Sequence, residues 1–224
     1  MIIAIMSDIH ANLPALNVFV KATKDKVDAY ICLGDVVNYG PWNDECLELV
    51  YSLPGIVLLE GNHERLFSGK DKIEDELPIV QEFFYNSIKN FSRYDLIDKL
   101  PKSYELGSFT CTHTIANQRI YANSILEDDL DCNYIIGHTH HQFRIEHSNK
   151  EIVNCGSVGQ NRDSIETVNF ALYDSKSNTV TMCKEPYSLD MFVKELSGRN
   201  YPTHCIDYYT SKLPHQSPEA TPPC

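Results

Sequence analysis

The sequence predicts an α/β fold in which a parallel sheet flanked by helices is followed by a second sheet, mixed or antiparallel. Three observations carry this expectation. Hydrophobic periodicity over the first sixty residues runs β-α-β-α-β, the order of a parallel sheet with crossover helices. The later chain breaks into short strands joined by tight turns. Five polar clusters sit where strands run out, the place where open α/β sheets bind ligands.

Residues 2–7 read as the first strand. Asn12 offers a helix cap, Pro14 suits a first helical turn, and Leu13, Leu16, Phe19 and Val20 recur at helical spacing. A second strand over residues 28–33 ends at Gly34-Asp35. A helix near residues 43–52 follows, with Cys46, Leu47 and Val50 on one side. Residues 55–60 form the third strand. A helical insertion spans about 65–103: residues 70–76 are a charged, solvated loop, and Pro78 opens a helix through Phe83, Phe84, Ile88 and Phe91. Strands return at residues 108–112, 134–136, 143–147, 151–154, 170–173 and 179–183, with turns at 148–149 and 175–178. The expected organisation is a single domain over residues 1–200 and a proline-rich, loosely ordered tail over 201–224.

A chain of 224 residues, 42% hydrophobic and 22% charged, has the composition of one ordinary globular core. No apolar run approaches a membrane span. The apolar first six residues lack a basic flank and read as a buried strand, not a signal peptide. With no C-x-x-C pair among eight cysteines, reduced and mostly buried thiols in a cytoplasmic protein are expected. A net charge of −12 argues against a long basic groove for nucleic acid. A small phosphate-bearing substrate remains compatible, because bound cations would reverse the local field.

The five clusters are Asp8-Ile9-His10, Gly34-Asp35, Gly61-Asn62-His63-Glu64, Thr112-His113 and Gly137-His138-Thr139-His140. Asp, Asn and His together suit hard-to-borderline divalent metals. If the strands stay extended, Asp8 with His10 and His138 with His140 point the same way and can share an ion. Asp8, His10, Asp35, Asn62, His113, His138 and His140 make seven candidate ligands. That tally suits two divalent ions roughly 3.5–4 Å apart, clamping a phosphoryl group and activating a bridging water as hydroxide. His63 is left free to act as catalytic acid. Arg162 and Asn12 are candidate substrate contacts, with a surface arginine and a helix cap as their plainer readings. Tyr39 reads as a cover for its loop, and His141 points away from the ligand pair.

Taken in order, Asp8-x-His10, Gly34-Asp35, Gly61-Asn62-His63-Glu64, His113 and Gly137-His138-x-His140 resemble the calcineurin-like metallophosphoesterases. The resemblance covers residues 1 to about 185. Residues 8–12, 34–41 and 154–160 resemble the small prokaryotic branch related to diadenosine tetraphosphatases and other phosphodiesterases. The resemblance implies a two-sheet α/β sandwich of four layers with a dinuclear site at its edge. It places one ion on Asp8, His10, Asp35 and His140, bridged by Asp35 to a second on Asn62, His113 and His138. It makes His63 the general acid or a group that holds the phosphoryl oxygen. Manganese is the metal it suggests, and such a shell also accepts Fe, Zn, Co or Ni.

Two departures stand out. The protein phosphatases of the family carry Gly-Asp-x-x-Asp-Arg-Gly, whereas this chain reads Gly34-Asp35-Val36-Val37-Asn38-Tyr39-Gly40 and lacks the arginine. Asn38 replaces the aspartate that would support the catalytic histidine, so it can orient that ring without stabilising its charge. The expected activity is hydrolysis of a phosphodiester or nucleotide, with no membrane or long nucleic acid as partner. The alternatives are a phosphomonoesterase, protein phosphatase activity included, or a non-catalytic binding scaffold of the same fold.

Overall fold

The computed structural model describes residues 1–126 and 130–213. In chain order its elements are β1 Ile2–Met6, α1 Leu13–Thr23, β2 Ala29–Cys32, α2 Asn43–Tyr51, β3 Val57–Leu58, α3 Asn62–Phe67, α4 Pro78–Ser87, α5 Tyr94–Ile97, β4 Ser103–Leu106, β5 Phe109–Thr112, β6 Asn133–Ile136, β7 Gln142–His147, β8 Lys150–Cys155, β9 Thr167–Asp174, β10 Thr179–Pro186, α6 Asp190–Gly198 and α7 Thr203–Thr210. They build two five-stranded sheets, ordered β10-β9-β1-β2-β3 and β4-β5-β6-β8-β7. In the first sheet β1, β2 and β3 run parallel, while β9 and β10 close one edge antiparallel. In the second, β5, β6 and β8 run parallel between antiparallel edge strands β4 and β7.

Strand alternation sorts β1 between two cores. Ile3 and Ile5 face the second sheet and pack with Ile31, Leu33, Phe109, Ile135 and Val153. Ala4 and Met6 face the other way, into a core shared with Leu16 and Phe19 of α1, Leu47 of α2 and Phe192 of α6. Helices thus cover the outer face of the first sheet. The outer face of the second is covered by Ile115, Ile120 and Leu126, from the segment between β5 and β6. This is the two-sheet α/β sandwich that the motif order implied.

Differences from the sequence expectations have local causes. The helix from Pro78 breaks after Ser87 into a 3₁₀ turn at Ile88–Asn90, and Tyr94–Ile97 is a separate short helix. The third strand shrinks to Val57–Leu58 because only those residues pair with β2. Residues from 201 onward were expected to be loose, yet Thr203–Thr210 is helical, with Cys205 and Tyr209 fully buried. Tyr209 packs edge-on against Phe192 at 4.6 Å and accepts a hydrogen bond from Gln160 at 3.1 Å, so aromatic burial outweighs the prolines nearby. Residues 214–224 of the expected tail lie outside the described residues. The seven described cysteines are free thiols, five of them buried. Among the described residues no helix is long and apolar enough to cross a membrane.

Candidate metal centre

Parallel strands β1 and β2 end side by side, and the loops beyond them stay bonded to each other. Asp8 N–H donates to Gly34 O at 3.1 Å, His10 N–H to Asp35 O at 3.0 Å and Ala11 N–H to Val36 O at 2.7 Å. Here one sequence expectation fails. The i, i+2 pairs do not act from extended strands: β1 has stopped at Met6 and β6 at Ile136. Asp8, His10, Asp35, His138 and His140 all have left-handed backbones, with φ of 54°, 50°, 57°, 70° and 62°. Asp, Asn and His tolerate this region better than most residues, and such strain persists where surrounding bonds over-determine it.

Two glycines let the loops close in. A Cβ on Gly61 would overlap Asp35 Oδ1, and one on Gly137 would overlap Ser7 Oγ and lie 2.6 Å from Asp8 Oδ2. Opposite Gly61, the buried Glu64 carboxylate gathers four amides. Its Oε2 accepts from Asp35 N at 2.7 Å and Gly61 N at 3.0 Å, and its Oε1 from Val36 N at 2.8 Å and Val37 N at 3.3 Å. Burial and the Asp35 charge push this carboxyl up to about 7, against the pull of those amides. Glu64 is thus a positioning residue for Asp35, a role that the ligand chemistry of its motif does not reveal. Its place three residues after Gly61, at the start of a helix, is the capping-box spacing that signals it.

All seven candidate ligands converge, in two groups that share Asp35. In the first, His10 Nε2 lies 3.2 Å from His140 Nε2, and Asp8 Oδ1 lies 3.2 Å from His140 Nε2 and 3.9 Å from His10 Nε2. In the second, His113 Nε2 lies 3.2 Å from Asp35 Oδ2, 3.1 Å from Asn62 Oδ1 and 3.3 Å from His138 Nδ1. His138 Nδ1 is 3.0 Å from Asn62 Oδ1. Asp35 Oδ2 is 4.0 Å from His10 Nε2, which ties the groups together.

The donor chemistry fits cations. His10, His113 and His140 each turn Nδ1 toward a backbone carbonyl: Val37 O at 3.3 Å, Leu33 O at 3.2 Å and Gln160 O at 2.9 Å. In the neutral imidazole, the form that ligates a metal, a proton held there leaves each Nε2 as a bare lone pair aimed at the centre. Asp8 Oδ2 is occupied by His138 N–H at 3.0 Å, while Asp8 Oδ1 is buried with no hydrogen-bond partner. Lone pairs converging without donors repel one another unless a positive charge lies among them.

The titration pattern agrees. Burial would raise Asp8 and Asp35, but His140 holds Asp8 down, and His113 and His63 hold Asp35 well down. Burial would lower His113, yet the Asp35 charge and hydrogen bond raise it to about 9. Burial and neighbouring imidazoles lower His10, and they bring His138 down to about 4.

His63 sits beside the ligands, its Nε2 3.8 Å from Asp35 Oδ2. Asn38 fixes its tautomer. Asn38 Oδ1 accepts from Tyr39 N at 2.8 Å, which turns Nδ2 toward His63 Nδ1 at 3.0 Å. The amide donates, Nδ1 accepts, and the ring proton stays on Nε2, facing the centre. Tyr39 walls the site edge-on to His10 at 4.8 Å and His63 at 5.1 Å, backed by Tyr208. Arg162 lines a cavity of about 110 Å³ over the centre, together with His63, His138 and Arg119. Asn12 does not reach the centre. It is fully buried, capping α1 at Ala15 N and donating to Gly159 O and the Tyr187 hydroxyl, so its expected substrate contact is withdrawn. His141 pairs with Asp163 at 2.6 Å, outside the cluster.

The calcineurin-like phosphoesterase profile matches residues 1–154. The chain belongs to the calcineurin-like phosphoesterases. It is therefore a phosphoric ester hydrolase of a family that binds divalent metals and acts on small phosphate esters. A metallophosphoesterase from Sphaerobacter thermophilus is similar, with TM-score 0.76 and 25% identity over 95% of this chain and 100% of that one. The hypothetical protein PH1004 of Pyrococcus horikoshii OT3 shares the fold, at TM-score 0.75 and 15% identity over 93% and 97%. In sequence, the uncharacterized protein MJ0912 of Methanocaldococcus jannaschii is 25% identical over 89% of this phosphoesterase and 93% of its own length.

Proposed function

We propose that this phosphoesterase hydrolyses phosphodiesters or nucleotides at a centre of two divalent ions, manganese foremost. Asp8, His10, Asp35 and His140 would hold one ion. Asn62, His113 and His138 would hold the second, with Asp35 shared. The convergence of seven lone-pair donors into two groups joined at Asp35 supports this reading. When bound, such ions polarise the phosphoryl group and activate water near neutral pH.

The chain's own residues do the rest. Three carbonyl-anchored imidazoles enter the site already oriented, so little reorganisation accompanies binding. His63 offers its Nε2–H to a phosphoryl or leaving-group oxygen. Because Asn38 donates to Nδ1, this histidine acts as a neutral hydrogen-bond donor; as an imidazolium it would lose that partner. Arg162, at the rim of the small cavity, meets the substrate's negative charge. The absence of the protein-phosphatase arginine after Asn38 favours small esters over phosphoproteins.

The first experiment strips the metal, restores Mn²⁺ and compares bis(p-nitrophenyl) phosphate with p-nitrophenyl phosphate. Metal-dependent turnover favouring the diester supports the reading, and a monoester preference replaces it with a phosphatase. In the same assay His63→Ala lowers kcat about 10²- to 10³-fold while metal content stays the same. An unchanged rate removes His63 from the chemistry.

Metal binding is coupled to protons. Before ligating, His113 must lose the proton that its raised pKa of about 9 retains at pH 7.5. Calorimetric titration of Mn²⁺ in buffers of differing ionisation enthalpy will show about one proton released per chain at pH 7.5, and almost none above pH 10. Release independent of pH would exclude this coupling. His113 and Asp35 make stability depend on pH in opposite senses. In the metal-free protein the raised His113 contributes stability fully present below 6.5 and lost as pH rises through about 9. The depressed Asp35 contributes stability present above 3.8 and lost as pH falls further.

A further inference from the structure

A second cavity, of about 550 Å³, opens on the other side of the centre. It shares Asn62, Glu76, Arg119 and His138 with the 110 Å³ cavity, so the two form one trough past the metal ligands. The small cavity falls well below the roughly 300 Å³ of a typical ligand pocket, whereas the large one falls within that range. A substrate whose phosphoryl group occupies the small cavity would extend into the large one.

The charges there are unequally committed. Arg65 is engaged twice by Asp71, at 2.7 and 2.6 Å, and once by Glu60 at 3.3 Å. Glu60 is further engaged by Lys70 at 2.6 Å. These four residues neutralise one another. The side chains of Lys102 and Arg119, both exposed, make no hydrogen bond or ion pair among the described residues, although both line the cavity and the Lys102 charge helps to hold Asp71 down. Of the lining carboxylates only Glu76 remains; burial pushes its carboxyl up and Arg119 draws it back. Two uncommitted cations, one a planar fork and the other a point charge, are the side chains that take phosphate.

We propose that Lys102 and Arg119 form a second anion subsite, which holds a further phosphate of a substrate already bound at the centre. This rests on the phosphoesterase reading and adds a preference, among its substrates, for esters with two linked phosphates. The subsite explains why Arg119 lies at the junction of both cavities: it can contact the bridging oxygen side of one phosphate and the far oxygens of the next.

The test measures binding, with no turnover required. Mn²⁺-loaded wild type is titrated with methylphosphonate and with methylenediphosphonate, and the Lys102→Ala/Arg119→Ala double variant is treated alike. Wild type is expected to prefer the diphosphonate at least about tenfold, and the double variant to show a ratio near one. Both positions are exposed, and a thermal melt of each protein confirms folding. Equal affinities in wild type, no binding of either compound, or a preference that survives in the double variant overturns the subsite. Hydrolysis of bis(p-nitrophenyl) phosphate by the same wild-type sample separates the two claims. Diphosphonate preference without hydrolysis leaves the subsite standing and removes the catalytic reading; hydrolysis without preference does the reverse.

Discussion

Replacing Asp35 with asparagine lowers metal-dependent ester hydrolysis by about 10³-fold or more, roughly 4 kcal/mol of transition-state stabilisation, and, on the proposed two-ion reading, cuts bound metal from two ions per chain to one. The reason is the position of a single oxygen. Asp35 Oδ1 is held by the His63 amide at 2.9 Å, which fixes the carboxylate plane. Oδ2 then faces His113 at 3.2 Å, His63 at 3.8 Å and His10 at 4.0 Å. Among the described residues no other carboxylate lies within reach of both ligand groups. Asparagine keeps the shape but removes the charge, and its amide would bring a donor or a neutral oxygen among ligand nitrogens. Metal analysis by mass spectrometry beside initial rates decides the matter. A variant that keeps two ions and a rate within tenfold of wild type would show that Asp35 is not the shared ligand.

Glu64→Ala carries the largest expected effect on stability, a loss of about 4 kcal/mol in urea unfolding of the metal-free protein. Four buried amides, from Asp35, Val36, Val37 and Gly61, lose their acceptor together. An unsatisfied buried donor costs roughly 1–3 kcal/mol, and partial relaxation keeps the sum below the simple total. Glu64→Gln loses about half as much, since one oxygen still accepts while the amide nitrogen confronts two donors. Because Asp35 stands left-handed only while its own amide is held, metal affinity falls with stability. A loss under about 1 kcal/mol in Glu64→Ala would mean that water replaces the carboxylate.

Much of the centre is legible in the sequence because chemistry and strand order point the same way. Asp8, Asp35, Asn62, His113, His138 and His140 each come after a hydrophobic run, and such runs in an α/β sheet deliver their ends to one edge. His10 and His63 are legible by company, as neighbours of Asp8 and Asn62. Asn12 misleads because a cap and a phosphate contact ask for the same side chain, and only the bonds to Gly159 and Tyr187 tell them apart. Helices α6 and α7 escape sequence reading because their apolar residues are few, and their burial depends on partners far along the chain, such as Trp42 and Phe83.

The residues alone determine the α/β order, the set of candidate metal-binding side chains and the family they spell, because these depend on local periodicity and on ligand chemistry. Which imidazole nitrogen faces inward, which carboxylate is shared, and how the two cavities meet depend on contacts between loops up to 130 residues apart, such as His138 with Asp8. The left-handed turns belong to that second class. No local preference would place five side-chain-bearing residues there; the bonds between neighbouring loops hold them, and those bonds exist only once the strands that carry the loops have paired.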